Sequence, residues 1–393
     1  MKKMIFCSVV AAAMATCANP VIDEGSVVVT QPRGGTVRIA YTLANEPAIV
    51  TVDILTNGVS IGEVNFTNLT GAVNRKVVAG PQEILWRAYK VWPDRRCPNF
   101  SARVTAWPLG LPPPYMVVNL KAQSADEALR FYVSSNAVPG GVLCEANKTT
   151  HLVMRRIPAS AQTFRMQEPI RTQRLVSFTN DYYIGVFEWT QGQQEALGCA
   201  NSSSYKCATH PLETMSLTTF RGLYTWPDGG HEEVTDASSL GKLRSLTGLV
   251  FDVPTEAQWE YACRAGTTTR YFWGTDSSSP MATYASTRSD TSDESFEVGL
   301  KAPNGWGLYD LYGNVLEHAL DRCVDNGSPD NIEVLPPGHF FEPGGFPRGH
   351  SSCCTTRGGK ARAASNSCQR NRVSATAGYA GNGFRLVCPA LIP

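Results

Sequence analysis

DVPTEAQWEYACRAGTTTRYFWG, residues 252–274, is the stretch on which the fold of the chain turns. Thr255 precedes a run of helix formers and Gln258 stands three positions on. At that spacing a threonine hydroxyl and a glutamine amide satisfy each other's orphan backbone donors. This predicts a helix starting at Thr255, with Trp259, Ala262 and Cys263 along one face. Gly266 ends it, and from there loops and short strands run to a last apolar strand over 383–388. Further helices are expected over 186–197 and 237–247, and HLVMRRIPAS (151–160) reads as the first strand of this domain. So much irregular chain needs anchoring from inside, by cross-links or bound ions.

A chain of 393 residues exceeds what one core organises, so two domains are expected. With 34 glycines, 25 prolines and only 18% charged residues, a soluble, turn-rich, strand-leaning protein is indicated. The formal net charge of +1 gives no general attraction for nucleic acid or an anionic membrane. MKKMIFCSVVAAAMATCA (1–18) has two lysines, a short apolar run and small residues at its end, the pattern of a secretory signal peptide. Export to the periplasm, cell surface or medium is therefore expected; Cys17 offers a lipoprotein alternative with a poor lipobox. No segment has the apolar length of a transmembrane helix. Setting aside Cys7 and Cys17 leaves an even number of the 12 cysteines, as suits a disulfide-permissive compartment. Cys199 and Cys207 flank a serine-rich loop and are candidates for a local bridge. No Cys-x-x-Cys pair supports zinc.

Between residues 27 and 123, short apolar–polar alternations (SVVVT, TVRIAYTL, AIVTVDILTNG, EILWRAYKVW, SARVTAWPL) are broken by turn formers. They predict an antiparallel, immunoglobulin-like sandwich, with Thr56-Asn57-Gly58-Val59 as a hairpin turn. No constellation of nucleophile, base and orienting group occurs there, so a spacer or adhesive module is the default. Residues 124–148 read as a linker.

The C-terminal blocks DYYIGVFEWTQGQ (181–193), 252–274, APNGWGLYDLYGNVLEH (302–318), RGG (357–359) and GFRLV (383–387) resemble, in order and spacing, the signatures of the formylglycine-generating-enzyme, or sulfatase-modifying-factor, family. The resemblance covers 149–390. It implies a C-type-lectin-like fold, so that the whole chain is α+β and loop-rich, and often a bound calcium. The N-terminal sandwich resembles domains that precede such modules in exported bacterial proteins. Family enzymes oxidise a sulfatase cysteine to formylglycine with oxygen and a copper(I) ion held by two thiolates, a donor set that suits a soft metal. In RGGKARAASNSCQRNRV (357–373), an ungapped alignment matches Cys368 to the second copper cysteine and Ala363 to the first; with a gap, Cys368 matches a structural cysteine and no copper ligand remains. Lys360 stands at the family's active-site serine, and Leu316 at a tryptophan.

The resemblance also implies a calcium site built from the Asp310 side chain, the Gly313 and Val315 carbonyls and Glu317. A second would fall near Ser286, Thr287 and Asp290. It further implies a disulfide between Cys263 and Cys388, tying helix to terminal strand. Trp259, Tyr261 and Phe384 read as core residues, and His318 as a packed histidine rather than a base. The incomplete copper pair favours an exported, non-catalytic binding or scaffold protein for a protein or glycan ligand, presenting loops over 320–382. One alternative is a copper- and oxygen-dependent oxidase, which alone would have a sulfatase client. The other is a lectin-fold display protein with variable C-terminal loops.

Overall fold

In the computed structural model, residues 19–393 are described apart from 32–34, 64–67, 92–98, 167–173, 223–233, 288–293, 324–331, 334–352, 359–366 and 368–370. The leader, Cys17, Asp290, Lys360, Ala363 and Cys368 lie outside the described residues, as does most of 320–370.

Among the described residues, eight strands build the N-terminal unit: β1 (Val21–Thr30), β2 (Val37–Ala44), β3 (Ala48–Thr56), β4 (Val59–Ser60), β5 (Leu69–Gly71), β6 (Arg75–Val77), β7 (Gly80–Trp86) and β8 (Phe100–Pro108). One sheet runs β1-β2-β7-β5; in the other, β3 pairs with β4 and β6 and, along its full length, with β8. Strand alternation sends Ile39, Tyr41 and Leu43 of β2 and Val50, Val52 and Ile54 of β3 into one shared core. The β3–β4 turn is the expected one, with Asn57 at φ +50° and Gly58 at φ +76°. Positive φ at both positions matches the twist of a two-residue hairpin.

The C-terminal unit is organised on a five-stranded sheet. Its strands are β9 (Tyr115–Asn119), β10 (Leu129–Tyr132) and β11 (His151–Ile157), then, after the hairpin of β12 (Thr163–Met166) and β13 (Arg174–Ser177), β14 (Tyr182–Gly185). The order is β10-β9-β11-β14-β22, closed by the last strand β22 (Val387–Pro389). Residues 115–119 and 129–132, which the sequence pattern assigns to the sandwich and linker respectively, thus belong to this sheet. The pattern shows alternation but not partner choice, and β9 pairs with β11 over five residues.

Both faces are buried. Met116, Val118, Met154, Tyr183 and Cys388 pack on one face with Phe220 and Leu217 of α4 (Leu217–Arg221) and Leu240 and Leu243 of α5 (Ser239–Thr247). On the other face, Tyr182, Ile184 and Val387 meet Ala257, Trp259 and Cys263 of α6 (Glu256–Arg264). The short helices α1 (Ala125–Ala128), α2 (Ala146–Thr149), α3 (Gln191–Ala196) and α7 (Met281–Tyr284) fill gaps between strands. A second assembly pairs β17 (Leu316–Cys323) with β18 (Ile332–Glu333), β19 (Cys353–Gly358) and β21 (Asn382–Gly383), and β19 with β20 (Asn371–Ser374). A parallel bridge joins β15 (Ala285–Ser286) to β16 (Tyr312–Gly313).

The cap on α6 is as read: the Thr255 hydroxyl accepts from the Gln258 backbone N–H at 3.2 Å, and the Gln258 side-chain oxygen accepts from Thr255 N–H at 2.9 Å. The helix expected over 186–197 is shorter. Thr190 caps it, while Val186 N bonds Val153 O and Trp189 N bonds Phe384 O, which keeps 186–189 extended. The strand expected over 383–388 is interrupted where Arg385 turns inward. No helix among the described residues is long and apolar enough to cross a membrane. Thr255→Ala is expected to cost about 1 kcal/mol in urea unfolding, the usual worth of such a cap.

Candidate functional site

The turn L-Y-D-L-Y-G-N-V-L-E brings polar groups into an apolar interior. Asp310 (φ +57°) and Asn314 (φ +56°) hold left-handed backbone, which short polar side chains tolerate. Gly313 is required: a Cβ there would stand 2.3 Å from Ser286 O. Asn314 N bonds Ser286 O at 2.9 Å, and the Asn314 side chain accepts from Phe296 N and donates to Glu188 Oε2 at 2.6 Å. Glu188 Oε1 also accepts from Val315 N.

Arg385 is the hub of this site. It is fully buried and forks onto Glu317 at 2.7–3.0 Å. Its other donors reach the carbonyls of Gly185, Val186 and Tyr309. Trp259 Nε1 donates to Glu317 Oε2 at 2.6 Å. Three N–H groups thus converge on the Glu317 carboxylate, the Arg385 Nε–H being shared between both oxygens. Asp310 differs: Oδ2 accepts from Gly299 N at 2.6 Å, whereas Oδ1 is buried and unpartnered.

Three carboxylates therefore surround one guanidinium. Burial, reinforced by repulsion from Asp310 and Glu317, pushes Glu188 well above the ordinary carboxylate range. Burial pushes Asp310 up to about 6, against the pull of the Gly299 N–H and Arg385. Desolvation opposes the charge on Arg385, but Glu317, Glu188 and Asp310 hold it protonated.

Beside this cluster, Glu260 of α6 bonds both Arg264, at 2.9 Å, and Arg357, at 2.5 Å. Arg357 stacks 5.3 Å over Trp259 and donates to Ser367 O at 3.0 Å. Ser367 is held two further ways: its N–H bonds Arg270 O, and its hydroxyl pairs with the Tyr312 hydroxyl. Burial pushes the Cys263 thiol up to about 12, despite those hydroxyls, so it is a neutral thiol.

Four of the expected cross-linking cysteines are unpaired. Cys263 and Cys388 are both buried and free, because they lie on opposite faces of the central sheet. Val387, one residue earlier, faces α6, and period-two alternation turns Cys388 away from it. Cys199 and Cys207 are also free. Gln191 closes their loop instead, donating to Tyr205 O and accepting from Asn201 and Cys207 N. In the second implied calcium site, Ser286 is buried with an unpartnered hydroxyl and Thr287 is exposed. Among the described residues, no group of three or more His, Cys, Asp or Glu stands placed to hold a metal ion.

Trp259 and Phe384 are core residues, and Tyr261 is half-buried with its hydroxyl on Pro158 O. His318 is buried and stacks 5.0 Å from Phe384. The composition of the motifs gave no role to Glu188 or Arg385, although each is a lone charge in an apolar run, FEW and GFRLV. A solitary charge in such a run is the signal of a buried, paired group.

Fold and site together define a loop-rich domain whose signature blocks converge on one buried polar centre. The chain belongs to the sulfatase-modifying-factor family: residues 141–390 match the sulfatase-modifying factor enzyme 1-like domain. The formylglycine-generating enzyme of Mus musculus is 39% identical over 80 residues, 18% of this chain and 22% of that protein. That of Thermomonospora curvata is 33% identical over 135 residues, 31% of this chain and 42% of the relative. The chain thus spans less than half the length of these relatives. Among solved structures, Treponema denticola variable protein 1 aligns with a TM-score of 0.46 and 21% identity, covering 62% of this chain and 96% of that one. PvdO from Pseudomonas aeruginosa aligns with a TM-score of 0.46 and 20% identity, covering 60% and 94%.

Arg385→Met is expected to destabilise the fold by about 3–5 kcal/mol, because it strands Glu317 unpaired; urea unfolding measures it. Burial lowers the His318 pKa from 6.5 to about 4. The folded state therefore favours the neutral ring, and this contribution is complete above pH 6.5 and lost as pH falls toward 4. His318→Phe should flatten stability across that window in acid titrations followed by circular dichroism.

Proposed function

We propose that this chain is an exported, non-catalytic binding or scaffold member of its family, taking a protein or glycan ligand through the loops of its C-terminal domain. An immunoglobulin-like ancestry for the N-terminal unit is part of this reading. The observation that carries it is the sequence RGGKARAASNSCQRNRV, which contains one cysteine where copper(I) chemistry needs two. Cys263, a buried free thiol on α6, is kept protonated by its burial. A lone thiolate does not fit a cuprous centre.

Calcium belongs to the proposal through Asp310. Its Oδ1 is buried without a partner, and the carboxyl groups of Asp310, Glu188 and Glu317 share one guanidinium, so a divalent cation there would favour ionisation of the groups that burial holds back. Asp310, with the Gly313 and Val315 carbonyls, would hold the ion and brace the turn. Glu317, with both oxygens already engaged by Arg385 and Trp259, is the weakest of the four donors.

Two measurements test this. The purified protein should bind copper(I) no more tightly than a single exposed thiol and should consume no oxygen with a CxPxR-type sulfatase peptide; formation of an aldehyde on that peptide refutes the non-catalytic reading. Calcium should raise the melting temperature relative to excess chelator, and Asp310→Asn should remove most of the rise. A chelator-insensitive melt in the wild type withdraws calcium.

A further inference from the structure

The edge of the central sheet leads to a role for the N-terminal unit. β10 is the outermost strand, paired with β9 on one side only. Such an edge offers unpaired backbone groups to any other strand and is a template for self-association. Here the open side is occupied: Phe131 N–H donates to Asn74 O at 2.8 Å. Asn74 lies between β5 and β6 at φ +56°, and its own N–H is tied to Val50 O at 2.6 Å, so the acceptor is held in place.

Side chains complete the contact. Along β3, Ala48, Val50 and Val52 point into the sandwich core, but Ile49 points outward. Ile49 is nevertheless fully buried, in the same cluster as Met116, Leu129, Phe131 and Ile392. Trp107, its cross-strand partner on β8, packs against that cluster. Polar pairs ring this apolar centre: Arg75 with Asp126, Glu63 with Ser134, and Lys76 with the Pro393 carbonyl. Ile392 N also bonds Leu109 O at 3.1 Å. An apolar centre inside a polar rim is the anatomy of a fixed interface, not of a flexible spacer.

We infer that the N-terminal unit guards the edge of the C-terminal sheet: it caps β10, couples its own unfolding to that of the sheet, and prevents pairing of β10 with a second copy of the chain.

Amide hydrogen exchange on the full chain, with sedimentation, tests this. In the wild type, Phe131 N–H should be as protected as the amides of β9 and β11; exchange at the rate of an exposed loop would overturn the inference. Ile49→Asp, whose side chain does not enter the sandwich core, should speed exchange at Phe131 by about tenfold or more and yield concentration-dependent oligomers, while Ile39 and Ile84 keep their protection. Unchanged exchange at Phe131, or an undocked edge that stays monomeric, would sink it. If Ile39 and Ile84 lose protection as well, loss at β10 alongside them supports the coupling and retention at β10 refutes it. Arg75→Glu, at the rim, should speed Phe131 exchange roughly threefold, the scale of one exposed ion pair; no change would count against the interface.

Discussion

The fork between Arg385 and Glu317 is the contact on which the C-terminal domain depends. A guanidinium taken wholly out of water is tolerated only when its charge is matched and its five donors are used. Glu317 supplies the charge, and the carbonyls of Gly185, Val186 and Tyr309 take the remaining donors. This draws together the end of β14, the start of β17 and the segment leading to β22. Three signature blocks that are far apart in sequence are thereby fixed to one point. The polar centre is thus a structural device first, and any ion it holds acts on a frame that the arginine already organises.

Much of this was legible in the sequence, but unevenly. The α6 cap was readable because Thr255 and Gln258 act within four residues, and local chemistry is what spacing records. The Asn57-Gly58 hairpin was readable for the same reason. The membership of β9 and β10 in the second sheet was not, since alternation tells which face is buried and not which strand lies alongside. Cross-links failed for a related reason. The Cys263–Cys388 pairing depended on which face of β22 the cysteine occupies, and a shift of one residue reverses that face.

The site shows the same division. Asp310, Gly313 and Glu317 were placed by their motif, and the chain brings them into one turn. Glu188 and Arg385 escaped notice because their partners lie in other blocks. Their isolation in apolar runs was the available clue, and it identifies burial without identifying the partner. Residues 357–373 hold a single cysteine, Cys368, and that was legible from the sequence alone.

Arg357 and Ser367 bear on how such a chain can change over time. Arg357 is gripped by Glu260 and Trp259, and Ser367 by Tyr312, Arg270 and Arg357 itself. Both ends of the intervening stretch are therefore secured by groups that owe nothing to its contents. A change of side chain between Arg357 and Ser367 therefore leaves both anchor points in place, and with them the register of β19 against β17.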